Sequence, residues 1–213
     1  MAGVKQGKKT RFWNILAGTY SRQPIADEAS YQEKLRITRE YLTRASNVLE
    51  FGSGTGSTAI LHAPYAAHIL GIDFSEKMIA IADRKARDAG VTNVDFEVAD
   101  IDDLSIPDNT YDAVMGMSIL HLLDNRVQVI AKVHAMLKPG GVFISSTTCV
   151  GDSAPFLRMI FPFGKLVGLL PTLNFLTPDQ LEADLISVGF EIAHKWQPNA
   201  KAAVFCVARK KEQ

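Results

Sequence analysis

Cysteine is scarce. The 213 residues contain only Cys149 and Cys206, which match no metal-ligand spacing and lie in apolar, strand-like runs. A cysteine-based metal centre is therefore excluded and buried thiols are expected; no metal site of any kind is expected. Net charge is absent too, with Lys plus Arg and Asp plus Glu at 23 each. No overall field draws the chain to nucleic acid or to a membrane. The basic clusters at the two ends (Lys5, Lys8, Lys9 and Arg11; Arg209, Lys210 and Lys211) read as solvated tails. No charge-free apolar run reaches the ~18 residues of a membrane span, and the basic, polar N-terminus lacks the apolar core of a signal peptide. A cytoplasmic location is the expectation. What is present is 47% apolar and 22% charged residues, the composition of one globular domain with a sizeable core.

The chain is organised around Val48-Leu49-Glu50-Phe51-Gly52-Ser53-Gly54-Thr55-Gly56. Val48, Leu49 and Phe51 suit a buried strand of a parallel sheet. Glycines at 52, 54 and 56 permit unusual backbone angles and let a ligand lie against bare main chain. Such a strand-to-helix turn binds phosphate or another polar part of a nucleotide. Glu50 argues against a pyrophosphate and for a cationic amino-acid group. The G-x-G-x-G spacing differs from the dinucleotide G-x-G-x-x-G, and no Gly-Lys-Ser/Thr follows, so a P-loop is excluded. A second strand, Ala67 to Asp73, ends in a carboxylate about 20 residues after the first glycine, where doubly wound folds place the acid that binds ribose hydroxyls. Asp73 could instead cap the next helix.

With these residues in hand, the sequence resembles the class I S-adenosylmethionine-dependent methyltransferases, in the subgroup of ubiquinone/menaquinone-biosynthesis enzymes. The resemblance rests on Glu50 to Gly56, Gly71-Ile72-Asp73-Phe74-Ser75 with Met78, Ala99-Asp100-Ile101, Tyr111-Asp112-Ala113-Val114 and Leu137-Lys138-Pro139-Gly140-Gly141. It runs from about Arg11 to Arg209. It implies an α/β fold with a doubly wound, mostly parallel seven-stranded sheet of order 3-2-1-4-5-7-6, strand 7 antiparallel. It also implies S-adenosyl-L-methionine as cofactor, with S-adenosyl-L-homocysteine as product. By resemblance, Asp100 faces the adenine amino group, Ile101 packs on the ring, and Phe74 and Met78 belong to the same binding region. N-terminal helices of such proteins close over the site, which makes Tyr20 and Tyr31 candidate lid residues.

Along the chain, residues 1–44 are expected as a helical cap of the same domain, with residues 1–9 disordered, a short helix around Phe12 to Leu16 and another from Ser30 to Arg44. Residues 45–213 form the core. Helix 75–89 turns Met78, Ile79, Ile81 and Ala82 inward and Arg84, Lys85, Arg87 and Asp88 mostly to solvent. Asp102 and Asp103 read as a solvated acidic turn. The fourth strand, Tyr111 to Met117, ends beside the first, where open α/β sheets bind ligands; Met117 and Ser118 are cofactor candidates there. His121, on the next loop, is a candidate to take or polarise an acceptor proton, or a structural hydrogen-bonder. Lys138 to Gly141 stops the helix before the fifth strand, whose end near Thr148 faces the expected acceptor pocket.

An apolar insertion, 151–176, carries Phe156 and Phe161 as further pocket candidates. As a lid it favours a small hydrophobic or aromatic acceptor; it is equally compatible with ordinary packing, peripheral membrane contact or a homodimer contact. Thr177-Pro178 opens the last helix and Gly189 ends it. Two final strands make a hairpin.

Methyl transfer in line with the leaving sulfur needs positioning and water exclusion more than acid–base power. The rival readings are a nicotinamide-dependent oxidoreductase and a non-catalytic cofactor-binding interaction module. A nucleic-acid partner is disfavoured by the missing basic face.

Overall fold

The computed structural model describes residues 2–149 and 174–212. Its strands are β1 (Asn47–Phe51), β2 (His68–Asp73), β3 (Val94–Val98), β4 (Tyr111–Met117), β5 (Leu137–Thr147), β6 (Phe190–Trp196) and β7 (Val204–Lys210). They form one sheet in the expected order, β3-β2-β1-β4-β5-β7-β6. The first five run parallel, while β7 runs antiparallel to both β5 and β6. The inner strands are apolar almost throughout because helices cover both faces. Val48, Ile69, Ala113 and Met115 pack into one buried cluster with Ala59 and Ala63. Leu49, Phe51, Ile72 and Val114 pack into the other with Val129, Ile130 and Leu185. β1 pairs with β2 on one side and with β4 on the other. The chain leaves its tip in opposite directions across the sheet, and the strand ends part there into a crevice.

Six α-helices lie among the described residues: α1 (Ala2–Tyr20), α2 (Glu28–Glu40), α3 (Ser57–His62), α4 (Glu76–Asp88), α5 (Arg126–Met136) and α6 (Pro178–Val188). Their ends follow local chemistry. Ser75 Oγ accepts the Met78 N–H at the start of α4. Thr177 and Gln180 close a reciprocal capping box on α6, and Gly189 ends it at φ +108°. None of the described helices is long and apolar enough to cross a membrane.

Three boundaries differ from the sequence expectation. α1 extends back to Ala2, over residues expected to be disordered; no proline interrupts 2–20, and Ala, Lys and Gln favour helix. α2 starts at Glu28 because Asp27 caps it, its carboxylate accepting from the Ser30 N–H at 3.0 Å and the Ser30 hydroxyl at 2.6 Å; it stops at Glu40 rather than Arg44. Lys138 to Gly141 ends α5 and also runs within β5. The β4–β5 register slips between Tyr111 and Ala113, and Gly140 sits at φ +76°, so the Pro-Gly-Gly stretch is absorbed as an irregularity of the strand. The pocket candidates Phe156 and Phe161 lie outside the described residues, as does most of the 151–176 insertion.

Candidate functional site

The turn after β1 holds Gly52, Gly54 and Gly56 at φ +63°, +54° and +73°. These left-handed angles favour glycine, and the three face different surroundings. A Cβ at Gly52 would strike the Ile119 side chain at 2.9 Å, and one at Gly56 would strike Phe96 at 2.5 Å. At Gly54 it would meet nothing within 4 Å. Gly56 therefore serves packing, and Gly54 presents bare backbone to open space. Its N–H donates to Asp73 Oδ2 at 3.0 Å, which ties the turn to the tip of β2.

Two cavities meet at this turn, and Gly52 is in the wall of both. The smaller, about 220 Å³, lies at the tips of β2, β3 and β4. Phe74, Ile101, Ile119, Leu122 and Trp13 give it apolar walls; Asp73, Asp100, Asp102 and Asn125 give it polar ones. Asp73 accepts from the Gly54 and Ser75 amides, and burial raises its pKa against those two bonds, with Asp100 adding to the rise. Each carboxylate oxygen has a second lone pair for a further donor. Asp100 Oδ1 accepts the Asp102 N–H at 3.1 Å. Asp102 is the exposed turn residue expected from sequence, and it also borders the cavity, its Oδ1 accepting from Asn125 Nδ2 at 2.7 Å. Flat apolar walls with carboxylates at the rim suit an uncharged aromatic base and a sugar diol.

The larger cavity, about 530 Å³, opens on the other side of Gly52. Glu50, Ser53, Gly54, Thr55, Met117, Ser118, Ser146, Tyr20, Tyr31, Lys34 and Lys85 are among its walls. Glu50 is 1% exposed and its Oε2 has no partner among the described residues. Burial pushes its pKa up to about 8, the Ala59 amide opposing the rise and Asp73 adding to it. A buried carboxyl with an idle oxygen, facing a cavity, awaits a cation or a donor. Lys85 does not face solvent as its helix pattern suggested: Nζ donates to Thr55 Oγ1 and Ser57 Oγ, both at 3.0 Å. Lys34 Nζ donates to Ser146 Oγ at 3.0 Å. Burial lowers the pKa of both lysines. Ser118 closes β4 at φ +57°, with its N–H on the Ser146 carbonyl at 2.7 Å.

Other candidates fall elsewhere. Met78 is buried in the helix layer and lines neither cavity. Thr148 lines neither. His121 sits in the short turn Leu120–Leu122, 9% exposed, and also lines neither. Its Nδ1 has no partner among the described residues, and burial lowers its pKa. Both thiols are buried, and Cys206 is pushed up to about 12 by burial, which makes it inert. Among the described residues no three His, Cys, Asp or Glu gather as metal ligands. Sequence reading missed Lys34, Lys85, Ser146, Trp13 and Asn125. Trp13 belongs to the amphipathic pattern of α1, but nothing in that pattern says which cavity the ring reaches.

A family model described as a methyltransferase domain matches residues 48–141. The demethylmenaquinone methyltransferase of Listeria welshimeri is 30% identical over 184 residues, covering 78% of this chain and 76% of that protein. The chain belongs to the class I S-adenosylmethionine-dependent methyltransferases, in the ubiquinone/menaquinone-biosynthesis subgroup. The ubiquinone/menaquinone biosynthesis C-methyltransferase of Desulfotalea psychrophila is 36% identical over 121 residues; that match spans only 46% of the relative's length. Among solved structures, an S-adenosylmethionine-dependent methyltransferase from Mesorhizobium loti superposes with a TM-score of 0.71 at 22% identity, covering 86% of this chain and 99% of that one. The [4+2]-cyclase SpnF gives the same TM-score and identity over 85% of this chain and 81% of its own. These two show the fold, and the second shows that one methyltransferase-like scaffold carries other chemistry. The cofactor of this family is S-adenosylmethionine. An orphaned buried carboxyl oxygen, an open glycine cradle and two chambers joined at one glycine fit such a group.

Proposed function

We propose that this methyltransferase binds its donor across Gly52 and methylates a small aromatic acceptor in the larger cavity. The observation that carries this is the pair of chambers, one suited to a nucleoside and one to a zwitterion, meeting at bare backbone. In this reading Asp73 takes the ribose hydroxyls, Asp100 the adenine amino group, and Ile101, Phe74 and Leu122 flank the ring. Glu50 takes the ammonium of the amino-acid end, and Lys85 with Gly54 and Thr55 lies near its carboxylate. The bound cofactor supplies an electrophilic methyl on a sulfonium.

The chain's own contribution is placement and dryness. Met117 and Ser118 wall the reacting space at the β4 tip. Tyr20 and Tyr31 close it from α1 and α2, so that residues 1–44 act as a cap and 45–213 as the core. Binding energy spent on alignment is effective here because the displacement is in line and needs no charged catalytic pair. His121 lines neither cavity, so a part for it in moving an acceptor proton would be indirect.

An aromatic acceptor is supported by the relatives named for demethylmenaquinone and by the apolar composition of 151–176. The balanced charge is compatible with a cytoplasmic location. The antiparallel β7 hairpin and the family match leave a nicotinamide-dependent oxidoreductase without support. The test is an acceptor screen on the purified protein that measures S-adenosylhomocysteine release. Release with hydroxylated aromatic rings is expected. Cofactor binding without release from any acceptor class favours the interaction-module reading instead.

A further inference from the structure

Among the described residues, Lys34 is the one cation of the larger cavity that the donor-binding scheme leaves unused. It stands on α2, and its ammonium reaches Ser146 Oγ at 3.0 Å on β5. In the sheet β5 lies two strands from β1, with β4 between them. Strands are spaced about 4.8 Å apart, so Ser146 stands roughly 10 Å from the glycine turn. Lys85 already serves the turn itself, through Thr55 and Ser57. The two lysines thus mark opposite ends of one cleft, with Met117 and Ser118 between them.

An ammonium has three donors, and among the described residues Lys34 uses one, on a neutral hydroxyl. No carboxylate among them lies within ion-pair distance. Among the described residues, the charged and titratable groups around the cavity are Tyr20 from α1, Asp27 and Tyr31 at and in α2, Glu50 from β1 and Lys85 from α4. Asp27 acts on Lys34 only at a distance, and burial works against the charge. The β4 and β5 walls offer only uncharged groups, Met117, Ser118 and Ser146. A half-desolvated cation facing a cavity, with two donors to spare, is completed by an anion.

We infer that Lys34 is the specificity-determining residue of the acceptor end, and that with Ser146 it receives an ionised oxygen, a phenolate or enolate. The inference rests on the methyl-transfer reading of the same cleft. The ammonium favours the ionised form of a weakly acidic hydroxyl. An acceptor held as the anion has already lost its hydroxyl proton. A pair of its delocalised electrons forms the new bond to the methyl carbon, the methyl carbon–sulfur bond breaks, and that electron pair stays on sulfur as a neutral thioether; where the new bond is made at a ring carbon, the ring proton then leaves to water. The charges of anion and sulfonium cancel. This accounts for a cavity in which the described residues supply no general base at the acceptor end, and it gives Lys34 a positioning role that the helix pattern of α2 conceals.

The test uses para-nitrophenol, whose phenolate is yellow, with its uncharged methyl ether as control, each titrated onto the full chain saturated with S-adenosylhomocysteine. The wild type should bind the phenolate and hold the phenol ionised at a lower pH than in free solution. Lys34→Met should weaken phenolate binding by about tenfold or more, the worth of a charged hydrogen bond, and abolish the shift in ionisation. Lys34→Arg should restore most of both. Neither variant should change binding of the ether or of S-adenosylhomocysteine, which also shows that each is folded. Equal phenolate affinity in wild type and Lys34→Met, or no phenolate binding by the wild type, overturns the inference and leaves the donor site standing. A parallel loss of S-adenosylhomocysteine affinity in Lys34→Met assigns the lysine to the donor's carboxylate and also overturns it. Failure of the wild type to bind S-adenosylhomocysteine at all removes the methyl-transfer reading itself, and the inference with it.

Discussion

The smaller chamber takes two of its acids from neighbouring strand ends, Asp73 at the tip of β2 and Asp100 just beyond β3. The larger chamber draws on α2, α4, β1, β4, β5 and the stretch from Tyr20 to Ala26. In the first, the sheet register brings the two acids together, Asp73 lying opposite Val98, two residues before Asp100. In the second, the side chains are brought together by tertiary packing. The chamber built on the register suits a group that never changes, the nucleoside. The assembled one suits the part that differs between enzymes of one fold, because helix residues can be exchanged without disturbing the sheet.

The largest effect expected from breaking this contrast is at the shared turn. Gly56→Ala meets both left-handed strain and a Cβ overlap with Phe96 and Ala82, and should cost about 2–5 kcal/mol of stability in urea unfolding. Gly54→Ala meets only the strain and should cost about 1–2 kcal/mol, yet it should be the variant that loses cofactor. Equal unfolding costs would remove the division between a packing glycine and a cradle glycine. Next comes Asp73→Ala. It should weaken S-adenosylhomocysteine by about 1.5–3 kcal/mol in calorimetry, as for a lost charged hydrogen bond, and adenosine alone by a similar amount. An unchanged affinity would remove Asp73 from the ribose.

The smallest effect concerns Glu50 and separates the chambers by pH. Its folded pKa of about 8 lies above the usual 4.5, so the folded protein keeps a proton that the unfolded chain has lost. That contribution to stability is complete below the lower value and is lost as the pH rises through the upper one. A bound ammonium favours the ionised carboxylate. Binding of S-adenosylhomocysteine near pH 7 should therefore release up to about one proton, and affinity should climb toward pH 8 by at most about tenfold per unit. Calorimetry in two buffers of different ionisation enthalpy reads the release. Adenosine, which does not reach Glu50, should show no matching climb; if it does, the two chambers titrate as one.

The same contrast explains what could be read in advance. The glycine turn, Glu50 and Asp73 were legible because each is fixed by local chain geometry: a glycine demanded by its φ, or a carboxylate in or at the end of an apolar strand; strand order, Asp100 and Ile101 were implied by the family resemblance. Lys34 and Lys85 were not, since a lysine on an amphipathic helix has the same pattern whether its stem folds inward or reaches water. Ser146 was one of four consecutive hydroxyl residues, Ser145 to Thr148, with nothing to single it out. Asp102 looked like one more acid of a surface turn, and only its bond to Asn125, 23 residues on, turns it into a wall. The start of β5 was misplaced because Pro-Gly-Gly reads as a break, whereas the neighbouring strand accommodates it with a shift of register.

Asn14, on α1, accepts from the Ser75 hydroxyl at 2.6 Å and from the Lys77 amide at 3.4 Å. Ser75 is also the residue whose own amide donates to Asp73 Oδ1 at 2.8 Å. The helix that walls the smaller chamber with Trp13 is thus tied to the corner that holds the Asp73 carboxylate. One asparagine side chain makes the position of α1 and the geometry of the β2 tip a single mechanical unit, so that a shift of either is felt by the other.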